Sequence, residues 1–151
     1  MLRDAFAERL KQAMKARDAG TLSAVRMILA GLKERDVAAR GEGKPAGLDE
    51  AEIGRMLQGM IRQRRDSIAL FEQGKRQDLA DKERAEIAVI ESFLPQQMGE
   101  DETEAAVKAA IGDLGAAGVK DMGRVMAALR ERHPGSLDLA RASAVARRLL
   151  G

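Results

Sequence analysis

Between Ile61 and Pro95 the chain carries two amphipathic helical patterns on either side of a short polar turn, an arrangement that leaves few folds open. Projected at about 100° per residue, Ile53, Met56, Leu57, Met60, Ile61, Ile68 and Phe71 share one face, with Arg64 in its middle. The same projection beyond the turn gathers Leu79, Ile87, Ile90, Phe93 and Leu94, with Glu83 and Glu86 among them. A turn at Gly74 to Gln77 folds the helices back antiparallel and brings Arg64 to the level of Glu86. An arginine on an apolar seam must find a carboxylate. The reading is a structural ion pair of Arg64 with Glu86 or Glu83, in bidentate geometry, rather than a phosphate site.

Composition extends this pattern to the whole chain. Three Phe and no Trp or Tyr among 151 residues mean that a core must be aliphatic. A mixture dominated by Ala, Leu, Glu, Lys, Arg and Met favours helix over sheet, so the expected fold is all-α. One domain or two very small ones fit the length. Charged residues are 33% of the chain and nearly cancel, for a formal net charge of +2. That is too little to argue for nucleic-acid binding by charge alone, yet the distribution is uneven. Arg55 to Arg76 holds six basic and two acidic residues, and Asp78 to Glu104 two basic and nine acidic.

Without cysteine there is no disulfide or thiolate chemistry, as suits a reducing compartment. The N-terminal stretch, Met1-Leu2-Arg3-Asp4-Ala5-Phe6, meets charges too often for a signal peptide or membrane span. A soluble cytoplasmic protein with no membrane partner is expected.

The helical segments follow from periodicity and punctuation. Leu2 to Asp18 is one helix, ended by Gly20. A second, capped by Thr21, runs to about Ala39, where the Gly- and Pro-containing stretch Arg40 to Gly47 breaks it. Asp49 and Glu52 make a capping-box start for a third, which continues to about Gln73 with Gly74 in the left-handed position. Asp78 caps the fourth, and Pro95 stops it. After a linker the chain becomes richer in Ala and Gly, and three short helices fit: Glu102 to Leu114, Asp121 to Glu131 and Leu139 to Leu150. The expected organisation is an N-terminal helical hairpin region, residues 1–97, and a compact three-helix tail, residues 98–151.

Candidate chemistry is sparse. A metal site needs several converging His, Cys or carboxylate ligands, and the chain has one His, His133, and no Cys. Ser67, Ser92 and Ser143 lie in helical patterns, where a hydroxyl usually bonds back to the chain. Gly41, Gly43 and Gly47 lack the spacing of a P-loop. No cofactor and no catalytic residue is expected. Basic side chains are the better candidates. In the tail, Met122, Val125, Met126 and Leu129 form a buried face with Lys120 and Arg124 opposite. In the last helix Leu139, Ser143, Ala146 and Leu150 face inward, with Arg141 and Arg148 outward. These four can grip an RNA backbone or be ordinary solvated groups, and Arg62 and Arg65 offer a second basic surface. A rival reading makes the hairpin a protein–protein adaptor through Met56, Leu57 and Met60, unless those residues are core.

Several segments carry a resemblance to the GatB/YqeY family, and in particular to its small stand-alone YqeY-like members. They are Leu22-Ser23-Ala24-Val25-Arg26-Met27-Ile28-Leu29, Arg64-Arg65-Asp66-Ser67-Ile68, Gly74-Lys75-Arg76-Gln77-Asp78-Leu79-Ala80, Glu86 to Phe93-Leu94-Pro95, and Val119-Lys120-Asp121-Met122-Gly123-Arg124-Val125-Met126. The resemblance implies kinship with the tail of the B subunit of the glutamine-dependent amidotransferase that converts misacylated Glu-tRNA or Asp-tRNA. There the tail assists tRNA recognition, and a separate domain, with no counterpart here, forms the amide. The implied partners are tRNA or other RNA and, for an accessory to carbon–nitrogen ligation, the amidotransferase subunits. His133-Pro134-Gly135-Ser136-Leu137-Asp138 matches the family's loop before the last helix only loosely. Gly123 lowers helix stability by roughly 1 kcal/mol against Ala, and close helix packing is the expected reason for it.

Overall fold

The computed structural model describes all 151 residues, Met1–Gly151. It contains seven α-helices and no strand: α1 Leu2–Ala16, α2 Ala19–Gly41, α3 Glu50–Gln73, α4 Gln77–Glu91, α5 Glu100–Leu114, α6 Met122–Arg132 and α7 Leu139–Leu150, with a 3-10 turn at Val119–Asp121 before α6. The helices divide into two compact units, Met1–Leu94 and Pro95–Gly151.

In the first unit α3 and α4 form the hairpin, joined by Gly74 to Arg76, with α2 packed on α4 and α1 on α2. Phe6, Ile28, Ile53, Leu57 and Ile90 are fully buried between them. Each such side chain contributes roughly 1.5–3 kcal/mol on leaving water. Phe6 and Phe93 meet edge to face, ring centroids 4.8 Å apart at 83°, the geometry that the ring quadrupole prefers. Met56, Leu57 and Met60 are core residues, at most 9% exposed. The adaptor surface drawn from them in the sequence is therefore removed: their face of α3 is covered by neighbouring helices.

The second unit has its own core of Val107, Ala110, Val125, Met126, Leu129, Leu137, Ala142 and Ala146. Buried alanines on α5 and α7 let a small unit close its core with few large side chains. Ala142 and Ala146 hold the centre of α7's inward face, with Leu139, Ser143 and Leu150 partly buried beside them. Thr103 is fully buried, and its hydroxyl donates to the Gly99 carbonyl at 2.7 Å.

The helix ends differ from the sequence reading in instructive ways. Gly20 lies inside α2. The left-handed residue that closes α1 is Arg17, at φ 54°, and Asp18 rather than Thr21 caps α2. Both the amide and the hydroxyl of Thr21 donate to that carboxylate. At the hairpin, Lys75 and not Gly74 takes the left-handed conformation, at φ 58°. Asp78 lies in the first turn of α4, where it accepts from Arg76 at 3.0 and 3.1 Å and leaves the cap position to Arg76 itself. The Asp49–Glu52 capping box is present, both bonds at 2.8 Å. A Cβ at Gly123 would meet nothing within 4 Å, so close packing is not what places glycine there.

Candidate functional site

Arg64 is 8% exposed in the middle of α3. Its Nε donates to Glu86 at 3.0 Å, one terminal nitrogen to the Met60 carbonyl at 3.2 Å, and the other to the Met27 sulfur at 3.4 Å. Glu83 stands further off, at 3.8 Å from Nε. The expected bidentate fork is absent. The guanidinium instead spreads its three nitrogens over a carboxylate, a carbonyl and a thioether, tying α3 to α4 and α2. Each of the three nitrogens has a partner inside the protein, as a structural role for the buried guanidinium requires.

A second buried charge escaped the sequence reading. Asp36 on α2, 6% exposed, accepts from Arg3 on α1 through both carboxylate oxygens at 2.8 and 2.9 Å, and from the Leu48 amide at 2.9 Å. Arg3 also donates to the Leu48 carbonyl at 2.9 Å. This pair is bidentate and its carboxylate is buried, unlike the exposed bidentate pair of Arg76 with Asp78. The Arg3 guanidinium holds the Asp36 carboxyl down to about 2 against the upward push of its burial. Gly47, beside Asp36, adopts φ +76°, and a Cβ there would collide with the Asp36 carboxylate. Arg3, Asp36 and Leu48 are far apart in sequence, and no periodicity connects them. The only available signal was an acid at Asp36 on the apolar side of α2.

The six basic candidates remain on the surface. Lys120 is exposed in the 3-10 turn and Arg141 in the first turn of α7; neither has an ion-pair partner. Arg124 donates to Asp121 at 3.0 Å. The Ala117 amide, and then Arg124, keep the Asp121 carboxyl below its usual range. Arg148 lies 3.3 Å from Glu104 on α5, whose carboxyl is lowered first by Lys108 and then by Arg148. Gly151 lies beside Val119, so the end of α7 and the turn carrying Lys120 are neighbours. Arg141 is at the opposite end of that helix, about 10 Å from Arg148 along the axis. On α3, Arg62 is exposed and unpaired, and Arg65 reaches Glu91 at 3.6 Å. The tail thus presents two basic groups rather than one converging cluster. His133 stands at the end of α6, and no three His, Cys, Asp or Glu side chains come together in a geometry that could hold a metal ion.

The family model described as Yqey-like protein matches residues 3–150. The chain belongs to the YqeY-like family. Curated relatives share part of it. Altered inheritance of mitochondria protein 41, mitochondrial, from Lachancea thermotolerans is 36% identical over 87 residues, 58% of this chain and 44% of that protein. The protein of the same name from Candida glabrata is 37% identical over 87 residues, 58% of this chain and 46% of its own length. That from Saccharomyces cerevisiae strain S288c is 36% identical over 87 residues, covering 58% and 45%. The match spans less than half the length of these curated relatives. No helix of this YqeY-like chain is long and apolar enough to cross a membrane.

Proposed function

We propose that this YqeY-like chain is a non-catalytic, cytoplasmic module that associates with tRNA or another RNA, with Pro95–Gly151 as the contacting unit. The observation that supports this reading is the state of its basic side chains. Lys120 and Arg141 project from the surface unpaired, while the exposed Arg124 and Arg148 pair with the partly buried Asp121 and Glu104. A pair as open to solvent as Arg148 with Glu104 is worth about 0–1 kcal/mol, so a phosphate can displace that carboxylate at little cost. Arg64, by contrast, is buried and paired with Glu86. The family resemblance to the amidotransferase tail points the same way.

The test is binding of purified protein to total tRNA, titrated across salt concentration. Affinity that falls steeply with salt is expected, because each neutralised phosphate releases condensed counterions. The double variant Lys120→Glu, Arg124→Glu should weaken binding, flatten the salt slope by about 0.7–0.9 for every phosphate it no longer neutralises, and leave the helical signal unchanged. Unaltered binding in that variant would take the tail out of the RNA interface. Absence of binding at low salt would refute the reading as a whole.

A further inference from the structure

Helix α2 is apolar on two opposite faces. One is spent on the core: Val25, Ile28 and Leu32 are buried with Asp36. On a surface helix the other side should be charged. Here the middle of the solvent side is built from Ala30 and Val37, with Met27, whose sulfur accepts from Arg64, at its edge; Val37 is 59% and Met27 39% exposed. Glu34 is the one acid among them. Along one flank of this stripe run Arg26, Lys33 and Arg40, each seven residues from the next and all exposed. None of the three is in a salt bridge; Arg40 makes one bond, from Nε to the Pro45 carbonyl at 3.2 Å. Successive heptad positions drift by only about 20° on an α-helix, so the three cations form a straight row roughly 21 Å long.

We propose that this face of α2 docks an amphipathic α-helix of a partner protein. The partner lays an apolar seam on Met27, Ala30 and Val37 and sets a row of acidic side chains opposite Arg26, Lys33 and Arg40. Charge complementarity selects this occupant. A second copy pairing antiparallel about a two-fold axis would bring like flank to like flank and place the three cations against three cations. A parallel copy would need acids on the other flank, where α2 has Gly31, Ala38 and Arg35. A nucleic-acid backbone would satisfy the cations but leave Val37 and Met27 without an apolar partner and set Glu34 against phosphate. A helix satisfies both chemistries, as helix-in-groove recognition does elsewhere, and Glu34 fixes its register by demanding a donor at one position. This inference does not depend on the RNA reading, which rests on the other unit.

The experiment uses the full chain and two labelled synthetic helical peptides, both with a leucine seam, one with a glutamate row on its flank and the other with lysines in the same positions. Binding is followed by fluorescence anisotropy. The glutamate peptide should bind and the lysine peptide should not. Arg26→Glu with Lys33→Glu should lower affinity for the glutamate peptide by about tenfold or more and confer binding of the lysine peptide. Val37→Asp should weaken both interactions. All three positions are exposed, so the helical circular dichroism of the variants should match the parent. Failure of the glutamate peptide to bind, equal binding of the two peptides, or indifference to the charge reversal would overturn the proposal. Loss of tRNA binding in the charge-reversed chain, with neither peptide bound, would assign the row to RNA and overturn it equally.

Discussion

Arg64 and Asp36 show how a single buried charge is tolerated in an aliphatic core. Each is almost fully covered, and each polar atom has a partner: the three nitrogens of Arg64 meet Glu86, Met60 and Met27, and the two oxygens of Asp36 meet Arg3 and Leu48. The value of such a pair lies in what its rupture leaves behind. Arg64→Met alone strands Glu86 in the seam and should cost about 3–5 kcal/mol, read from urea denaturation. Adding Glu86→Leu should recover most of that loss, because an apolar pair of similar volume has no charge to strand. If the single variant is as stable as the parent, the pair does not hold the hairpin. Asp36 adds a pH dependence. Its folded pKa of about 2 lies below its ordinary 3.8, so the folded state prefers the ionised form. The stabilisation is complete above the ordinary value and is lost as pH falls from there through about 2. The half-exposed Arg3 screens part of it, leaving on the order of 1–2 kcal/mol. Asp36→Asn should remove that portion of the acid slope in denaturation midpoints measured between neutral and strongly acid pH.

At the level of helices, the chain was legible where the signal is periodic and local. The seam of Ile53, Leu57, Ile61, Ile87 and Ile90 carries a period that only an α-helical hairpin satisfies, and Arg64 with Glu86 followed from it. What failed was cap chemistry decided by one side chain's reach. Asp18 outcompetes Thr21 because a carboxylate accepts both Thr21 donors at once, and Lys75 takes the left-handed position because Gly74 still continues the helical hydrogen bonding to Leu70. The candidate site was less legible than the fold. Whether Arg148 meets Glu104, or whether Asp36 meets Arg3, is set by packing between helices that share no local pattern. Gly123 allows a direct test. With open space at its Cβ, Gly123→Ala should raise the tail's stability by up to about 1 kcal/mol. If that variant also loses RNA affinity, the glycine serves approach of a ligand to the backbone, which measurement of both quantities on one preparation would reveal.

For the molecule as a whole, two cores mean two sources of stability. The first unit rests on long helices and branched or aromatic side chains such as Phe6, Ile28, Ile53 and Ile90; the second on alanines, two valines, Met126, Leu129 and Leu137. A core with so few large side chains has little to lose. Leu129→Ala removes one of its largest buried groups and should cost about 2–5 kcal/mol. Amide exchange should then show α5 to α7 opening while α2 to α4 keep their protection. Uniform loss of protection along the chain would mean that the two units unfold together.

The edge-to-face packing of Phe6 with Phe93 carries an optical consequence. With no tryptophan or tyrosine in the chain, near-ultraviolet ellipticity can arise only from phenylalanine, and a ring contributes strongly when it is held in an asymmetric, fixed environment. Phe6 belongs to α1 and Phe93 follows α4. The fine structure of that weak band is therefore a label-free gauge of whether the first helix is seated, readable in any solution where the rest of the protein is spectroscopically silent.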